Sequence, residues 1–186
     1  MTEFLVAQMT DIDPDWDLDD LLVIAIENLG DGLVELLLRN NADPNKPGKS
    51  FYSSIGDGFV TPLEAACRNR DVSTVKRLLS NGADVSQGSP LSNVFYLESF
   101  EERSDGLLEL FEVLLEHGAD VNARDYDEGT GLQKAIEEQE FHCAYQLIEN
   151  GACINAPASE GSLGRTALQA AASAGDVDMV EHLLSI

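Results

Sequence analysis

Apolar residues recur along this chain at helical spacing, in short runs separated by polar and glycine breaks. Four runs share the spacing i, i+3, i+6, i+7: Val72, Val75, Leu78 and Leu79; Leu108, Phe111, Leu114 and Leu115; Phe141, Ala144, Leu147 and Ile148; Val177, Val180, Leu183 and Leu184. An earlier run, Leu33, Val34, Leu37 and Leu38, is of the same kind. Each predicts an amphipathic helix with one buried stripe. Gly82, Gly118 and Gly151 follow three of these runs. They predict helix ends closed by a left-handed residue, which only glycine adopts cheaply.

The stretches that close the runs are versions of one another. LLSNGADVS (78–86) returns as LLEHGADVN (114–122) and as LIENGACIN (147–155), with an earlier version, LLRNNADPN (37–45). The chain ends in HLLSI (182–186), the same stretch cut before its glycine. A second element precedes each unit: TPLEAAC (61–67), SPLSNVF (89–95), TGLQKAI (130–136) and TALQAAA (166–172). Pro62 to Ala83 and Gly131 to Ala152 are both 21 positions, and Ala119 to Ala152 is 33, one full period. Fixed-period self-similarity means stacked repeats.

The second element predicts a short helix. Thr61, Ser89, Thr130 and Thr166 are N-caps, whose hydroxyl accepts from an otherwise unpaired N–H. Pro62 and Pro90 sit at the first helical position, where a missing N–H costs nothing. Glu64, Gln133 and Gln169, three residues after their caps, predict capping boxes in three of the four.

These residues resemble the ankyrin repeat family. The likeness rests on T-P-L followed by two small residues, on V-x-x-V-x-x-L-L, and on G-A-D-V-N, and it covers about residues 17–186. It implies an all-α solenoid of about five helix–turn–helix units, joined by β-hairpin-like loops that project to one side. One such unit cannot bury its own apolar face, and stacking closes the core. The units span about 17–45, 61–86, 89–123, 130–156 and 166–186. The first lacks T-P-L but offers Leu21, Leu22, Ile24, Ala25 and Ile26 for its first helix. Residues 1–16 stand outside the pattern, as a disordered tail or a short cap over the first unit.

The chain departs from the family in three ways. The His usual at the fourth place of T-P-L-H is Glu64, Ser92, Gln133 or Gln169 here. The expected Thr–His bonding between neighbours is therefore absent, with the capping box in its place. Loop lengths are irregular: an insertion, PGKSFYSSIGDGF (47–59), precedes unit two, and a second lies around YLESFEERSDG (96–106) inside unit three. Insertions in repeat arrays map to loops, often on the binding side. Finally, the fifth unit carries a stripe of the internal kind where a terminal repeat should be polar. That predicts a fragment of a longer array, truncated inside its last unit.

Charge narrows the partner. There are 11 basic and 34 acidic residues, a net charge of −23. Nucleic acid backbones and anionic membranes need Lys and Arg, so both are excluded as expected partners. The expected partner is another protein, with a basic patch. The acidic run DIDPDWDLDD (11–20) resembles a calcium loop only superficially. Trp16 stands where the turn glycine belongs and Leu22 where the bidentate Glu belongs. Capping of the first helix by Asp15 or Asp17, with neighbours favouring its positive end, is the better reading. Three cysteines with no C-x-x-C fit a reducing compartment. No signal peptide or membrane span is legible at 1–11 or beyond. A cytoplasmic or nuclear monomer is expected.

No catalytic constellation is visible. His117, His142 and His182 fall on second helices of different repeats, and Cys67 and Cys143 read as packing residues. No metal, cofactor or catalytic residue is expected. What remains is binding, through the hairpin tips and the concave face that the resemblance implies. Those positions give Arg68 and Asn69, Glu137 and Glu138, Ser173 and Ala174, and the hairpin residues Arg124, Asp125, Tyr126 and Asp127. Phe51 and Tyr52 in the first insertion are candidate anchors, since aromatic and Arg residues dominate interfaces. Phe95 and Phe100 read as packing for the enlarged third unit. Asn122 and Asn155, each eight residues after a Leu, resemble asparagines that are hydroxylated in some family members. The expectation is a non-catalytic interaction scaffold. Its rivals are the regulatory or targeting arm of a larger protein, whose activity lies beyond Ile186, and an acidic mimic of nucleic acid.

Overall fold

The computed structural model describes residues 18–50, 59–95, 106–124, 129–158 and 164–186. Ten helices among them pair into five units. Unit one holds α1 (Leu18–Glu27) and α2 (Asp31–Arg39), and unit two α3 (Pro62–Arg68) and α4 (Val72–Ser80). Unit three holds α5 (Pro90–Asn93) and α6 (Leu107–Glu116). Unit four holds α7 (Gly131–Glu137) and α8 (Phe141–Glu149), and unit five α9 (Ala167–Ala174) and α10 (Val177–Ser185). The first helices stack in the order α1, α3, α5, α7, α9, each against the next. The fold is the expected all-α ankyrin solenoid.

The local signals act as the sequence predicts. Thr61, Thr130 and Thr166 cap α3, α7 and α9, each in a complete capping box with Glu64, Gln133 or Gln169. Gly82, Gly118 and Gly151 sit at φ 89°, 84° and 89°, and Asn41 takes the same place in unit one at φ 67°. Ser89 departs from expectation. Its hydroxyl makes no cap bond, and its backbone N–H donates instead to Glu64 Oε1 at 3.2 Å.

One continuous core runs through the stack. Leu63, Ala66 and Cys67 from α3, Leu91 from α5 and Leu132, Ala135 and Ile136 from α7 are all 2% exposed or less. Phe95 is buried with its ring 5.7 Å from that of Phe111, so it packs unit three as expected. Two stripes need correction. Leu108 is exposed, because α6 turns Leu107, Leu110, Phe111 and Leu114 inward. In α10, Met179 and Leu183 are buried whereas Val177 and Leu184 are 65% and 69% exposed.

The first insertion is closed at its base. Strands β1 (Gly48–Lys49) and β2 (Phe59–Val60) pair antiparallel, with Gly48 opposite Val60 and Lys49 opposite Phe59. Gly48 lies tight on α1: a Cβ there would stand 2.8 Å from Val23 Cγ2 and 2.9 Å from the Asp19 carbonyl oxygen. Only a residue without a side chain fits that approach.

Polar groups tie the loops together. Asn45 donates through Nδ2 to the Gly82 carbonyl at 2.9 Å and accepts from Asp84 N–H at 2.6 Å. Asn122 repeats the device two joints further on, donating to Gly151 O at 3.2 Å and accepting from Cys153 N–H at 2.7 Å.

Candidate functional site

The acidic run ends in scaffold work. Asp19 Oδ1 accepts from Asp43 N–H at 2.7 Å while its Oδ2 pairs with Lys46 Nζ at 2.8 Å. Asp20 accepts from Lys49 N–H at 3.0 Å. Both carboxylates therefore hold the 43–49 loop against α1, where a buried or half-buried charge needs partners. Asp15 and Asp17, the expected caps, lie outside the described residues. Among those that are described, no group of three or more His, Cys, Asp or Glu side chains could hold a metal ion.

The departure at the fourth place turns out to connect neighbours. Glu64 Oε2 closes the capping box on Thr61, and Oε1 reaches the next unit, accepting from Ser89 N–H and from Asn93 Nδ2 at 3.3 Å. Gln133 also uses both ends of its amide: Oε1 accepts from Thr130 N–H at 2.8 Å, and Nε2 donates to the Ala156 and Pro157 carbonyls of the loop leaving unit four, at 3.3 and 3.0 Å. The capping boxes stand where the family's His would, as expected, and Glu64 adds a bond to the neighbouring unit. In Glu64 one side chain with two polar ends serves both its own cap and the adjacent unit; Gln133 serves its cap and the loop that leaves its own unit.

Three expected recognition residues are engaged within the array. Arg68 donates through Nε to Asn93 Oδ1 at 2.7 Å, and Asn69 donates through Nδ2 to the Ile26 carbonyl of unit one at 2.7 Å. Arg124, which bridges to Thr130 across its hairpin, donates through Nη2 to Pro157 O at 2.7 Å. Glu137 and Glu138 are exposed at the end of α7. Ser173 is exposed and Ala174 half-buried at the equivalent end of α9. Phe51, Tyr52, Asp125, Tyr126, Asp127 and Phe100 lie outside the described residues. Arg70 was not among the candidates. It sits at φ 51° in the turn between α3 and α4 and donates through Nε to the Val94 carbonyl at 3.1 Å.

The thiols divide by burial. Burial pushes the Cys67 thiol far above its ordinary value, helped by the nearby Glu64 carboxylate. Cys143 is pushed up to about 12 by burial and by Glu140, with Arg70 acting the other way. Neither supplies a thiolate near neutral pH, so neither is a nucleophile there. Cys153 is exposed on the unit-four loop. No helix among the described residues is long and apolar enough to cross a membrane.

Comparison with known proteins agrees with this geometry. Family models for ankyrin repeats match residues 102–186 as three copies and residues 60–89 as a single repeat, together more than half of the chain. The sequence is 29% identical over 178 residues to an ankyrin repeat and KH domain-containing protein, mask-1, of Caenorhabditis elegans, covering 82% of this chain and 6% of that protein. It is also 29% identical over 171 residues to a putative ankyrin repeat protein of fowlpox virus, covering 91% of this chain and 48% of the viral protein. The chain thus spans less than half the length of either relative. On the family matches and the stacked capped helix pairs, the chain belongs to the ankyrin repeat family.

Proposed function

We propose that the chain is a non-catalytic protein-interaction module whose acidic surface receives a basic partner, with the first insertion as an anchor. The observation that carries this reading is the division of labour among its polar groups. Asp19, Asp20, Glu64 and Gln133 are engaged within the array. A further set of carboxylates, Glu112, Glu116, Glu138, Asp178 and Glu181, stands exposed. Exposed charge of one sign steers an oppositely charged partner and sets its orientation. The β1–β2 pairing and Gly48's contact with α1 tether both ends of the segment that bears Phe51 and Tyr52. A tethered loop loses less freedom on binding than a loose one.

The test is affinity capture on the immobilised chain beside a Phe51→Ala/Tyr52→Ala bait, at low and at moderate salt. A partner held through moderate salt and lost on the double variant supports the module. Capture of basic proteins alone, equal on both baits and reversed by salt, rejects it in favour of bulk charge. A second reading is an arm of a larger protein, supported by the nematode relative, of which the chain spans 6%. The full reading frame of the native transcript decides that.

A further inference from the structure

The chain as a whole is strongly acidic, yet its positive charges are not evenly spread. Seven of its 11 Lys and Arg residues lie between Arg39 and Arg77, against four acidic residues in the same stretch. Two of the seven converge on the side of the second helices. Glu35 on α2 pairs with Arg39 Nη2 at 2.5 Å and with Arg77 Nη1 on α4 at 3.1 Å. These three residues, with Leu38 and Asn81, line a cleft of about 210 Å³ between units one and two. The lining holds two guanidinium groups and one carboxylate. Arg39 is 75% exposed and Arg77 30%.

We infer that this cleft is an oxyanion subsite, which receives a carboxylate of an acidic segment on a partner polypeptide. Each guanidinium carries five donors in a planar fork that matches a two-oxygen acceptor. One carboxylate cannot occupy both forks in full, and Glu35 shows the geometry with which a second would be held. The volume falls below the several hundred Å³ usual for small-molecule pockets. It suits one side chain, with Leu38 as the apolar wall for its methylenes. The remainder of the chain repels an acidic peptide at long range, but that repulsion is screened beyond about 8 Å at physiological salt. The cleft lies apart from the carboxylates at the end of α7 and does not depend on the proposed basic partner.

The test is titration of the ¹⁵N-labelled chain with hexaglutamate at physiological salt, following the arginine Nε–Hε signals, with inorganic phosphate in a parallel arm. The Arg39 and Arg77 signals shift with hexaglutamate. Arg77→Gln weakens binding about three- to tenfold, the range for charge-assisted contacts at a partly exposed site. Glu35→Gln removes the internal competitor and tightens binding by a similar factor, a gain that misfolding cannot mimic. Equal affinity across the three proteins, or no shift with hexaglutamate, would overturn the subsite. A response to phosphate without one to the peptide would overturn its assignment to a polypeptide carboxylate.

Discussion

The joint between units two and three and the joint between units four and five both stack one first helix against the next, but with different chemistry. At the first, charged side chains do the joining. Glu64 accepts from Ser89 and Asn93, Arg68 donates to Asn93, and Arg70 donates to the Val94 carbonyl. At the second, Gln133 donates to the Ala156 and Pro157 carbonyls, and α9 packs through the small residues Ala167, Ala170 and Ala171. Tyr145 and His182 add an edge-on ring contact with centroids 5.1 Å apart. A half-buried charge must have partners wherever it sits, so a charged joint is specific and vulnerable together. A joint of alanines and amides tolerates more. The same division governs the carboxylates: in the first half many are bound into the scaffold, while Glu138, Asp178 and Glu181 in the second half are exposed.

The comparison breaks most readily at Glu64. Glu64→Ala leaves the N–H groups of Thr61 and Ser89 and the amide of Asn93 short of an acceptor, and should destabilise by about 2–3 kcal/mol in urea unfolding. Gln133→Ala should lose less, about 1 kcal/mol, because one donor, the Thr130 N–H, is left short instead of three, and water reaches the exposed Pro157. Equal losses would mean that the charge at the first joint has no special part. Between these two lies Gly48→Ala. Its new Cβ meets the Asp19 carbonyl, a backbone atom that cannot swing aside, and should destabilise by about 2 kcal/mol through overpacking. Smallest is Lys76→Ala. The Lys76–Glu109 pair links units two and three at 2.5 Å, but with side chains 52% and 57% exposed it should contribute under about 0.5 kcal/mol. A loss as large as that of Glu64→Ala would show that distance, rather than burial, sets the worth of a charge here. Thiol labelling gives an independent reading of the core: Cys153 should react at once at neutral pH, and Cys67 and Cys143 only on unfolding.

What was legible in the sequence was local. A capping box spans three residues and a helix-ending glycine acts on its own turn, so Thr61, Thr130, Thr166 and Gly82 declared themselves. The joints did not. Glu64 meets Asn93 29 positions away, and Asn69 meets Ile26 43 away across the first insertion, so which residues face each other is concealed. For the same reason Arg68 and Asn69 read as recognition residues when their polar ends are turned to neighbouring units. Leu108 was misplaced because the first place of the stripe falls at the exposed edge of its helix, as Val177 does in α10, and spacing alone does not reveal that. The left-handed Leu29, Arg70 and Gln139 carry no sequence signal, since such turns usually ask for Gly or Asn. Of the candidate surface, Glu137 and Glu138 are placed on exposed positions, while Phe51 and Tyr52 lie beyond what the structure describes.

The most direct measurement sets two charge changes side by side. Glu137→Lys/Glu138→Lys and Glu64→Gln are each assayed for unfolding midpoint and for retention of the captured partner at moderate salt. The double reversal on the exposed end of α7 should leave the midpoint nearly unchanged and abolish retention. Glu64→Gln should lower the midpoint and, below it, retain the partner. A double reversal that unfolds the array while the surviving folded fraction still binds would contradict the assignment of scaffold and recognition roles to these two sets of carboxylates.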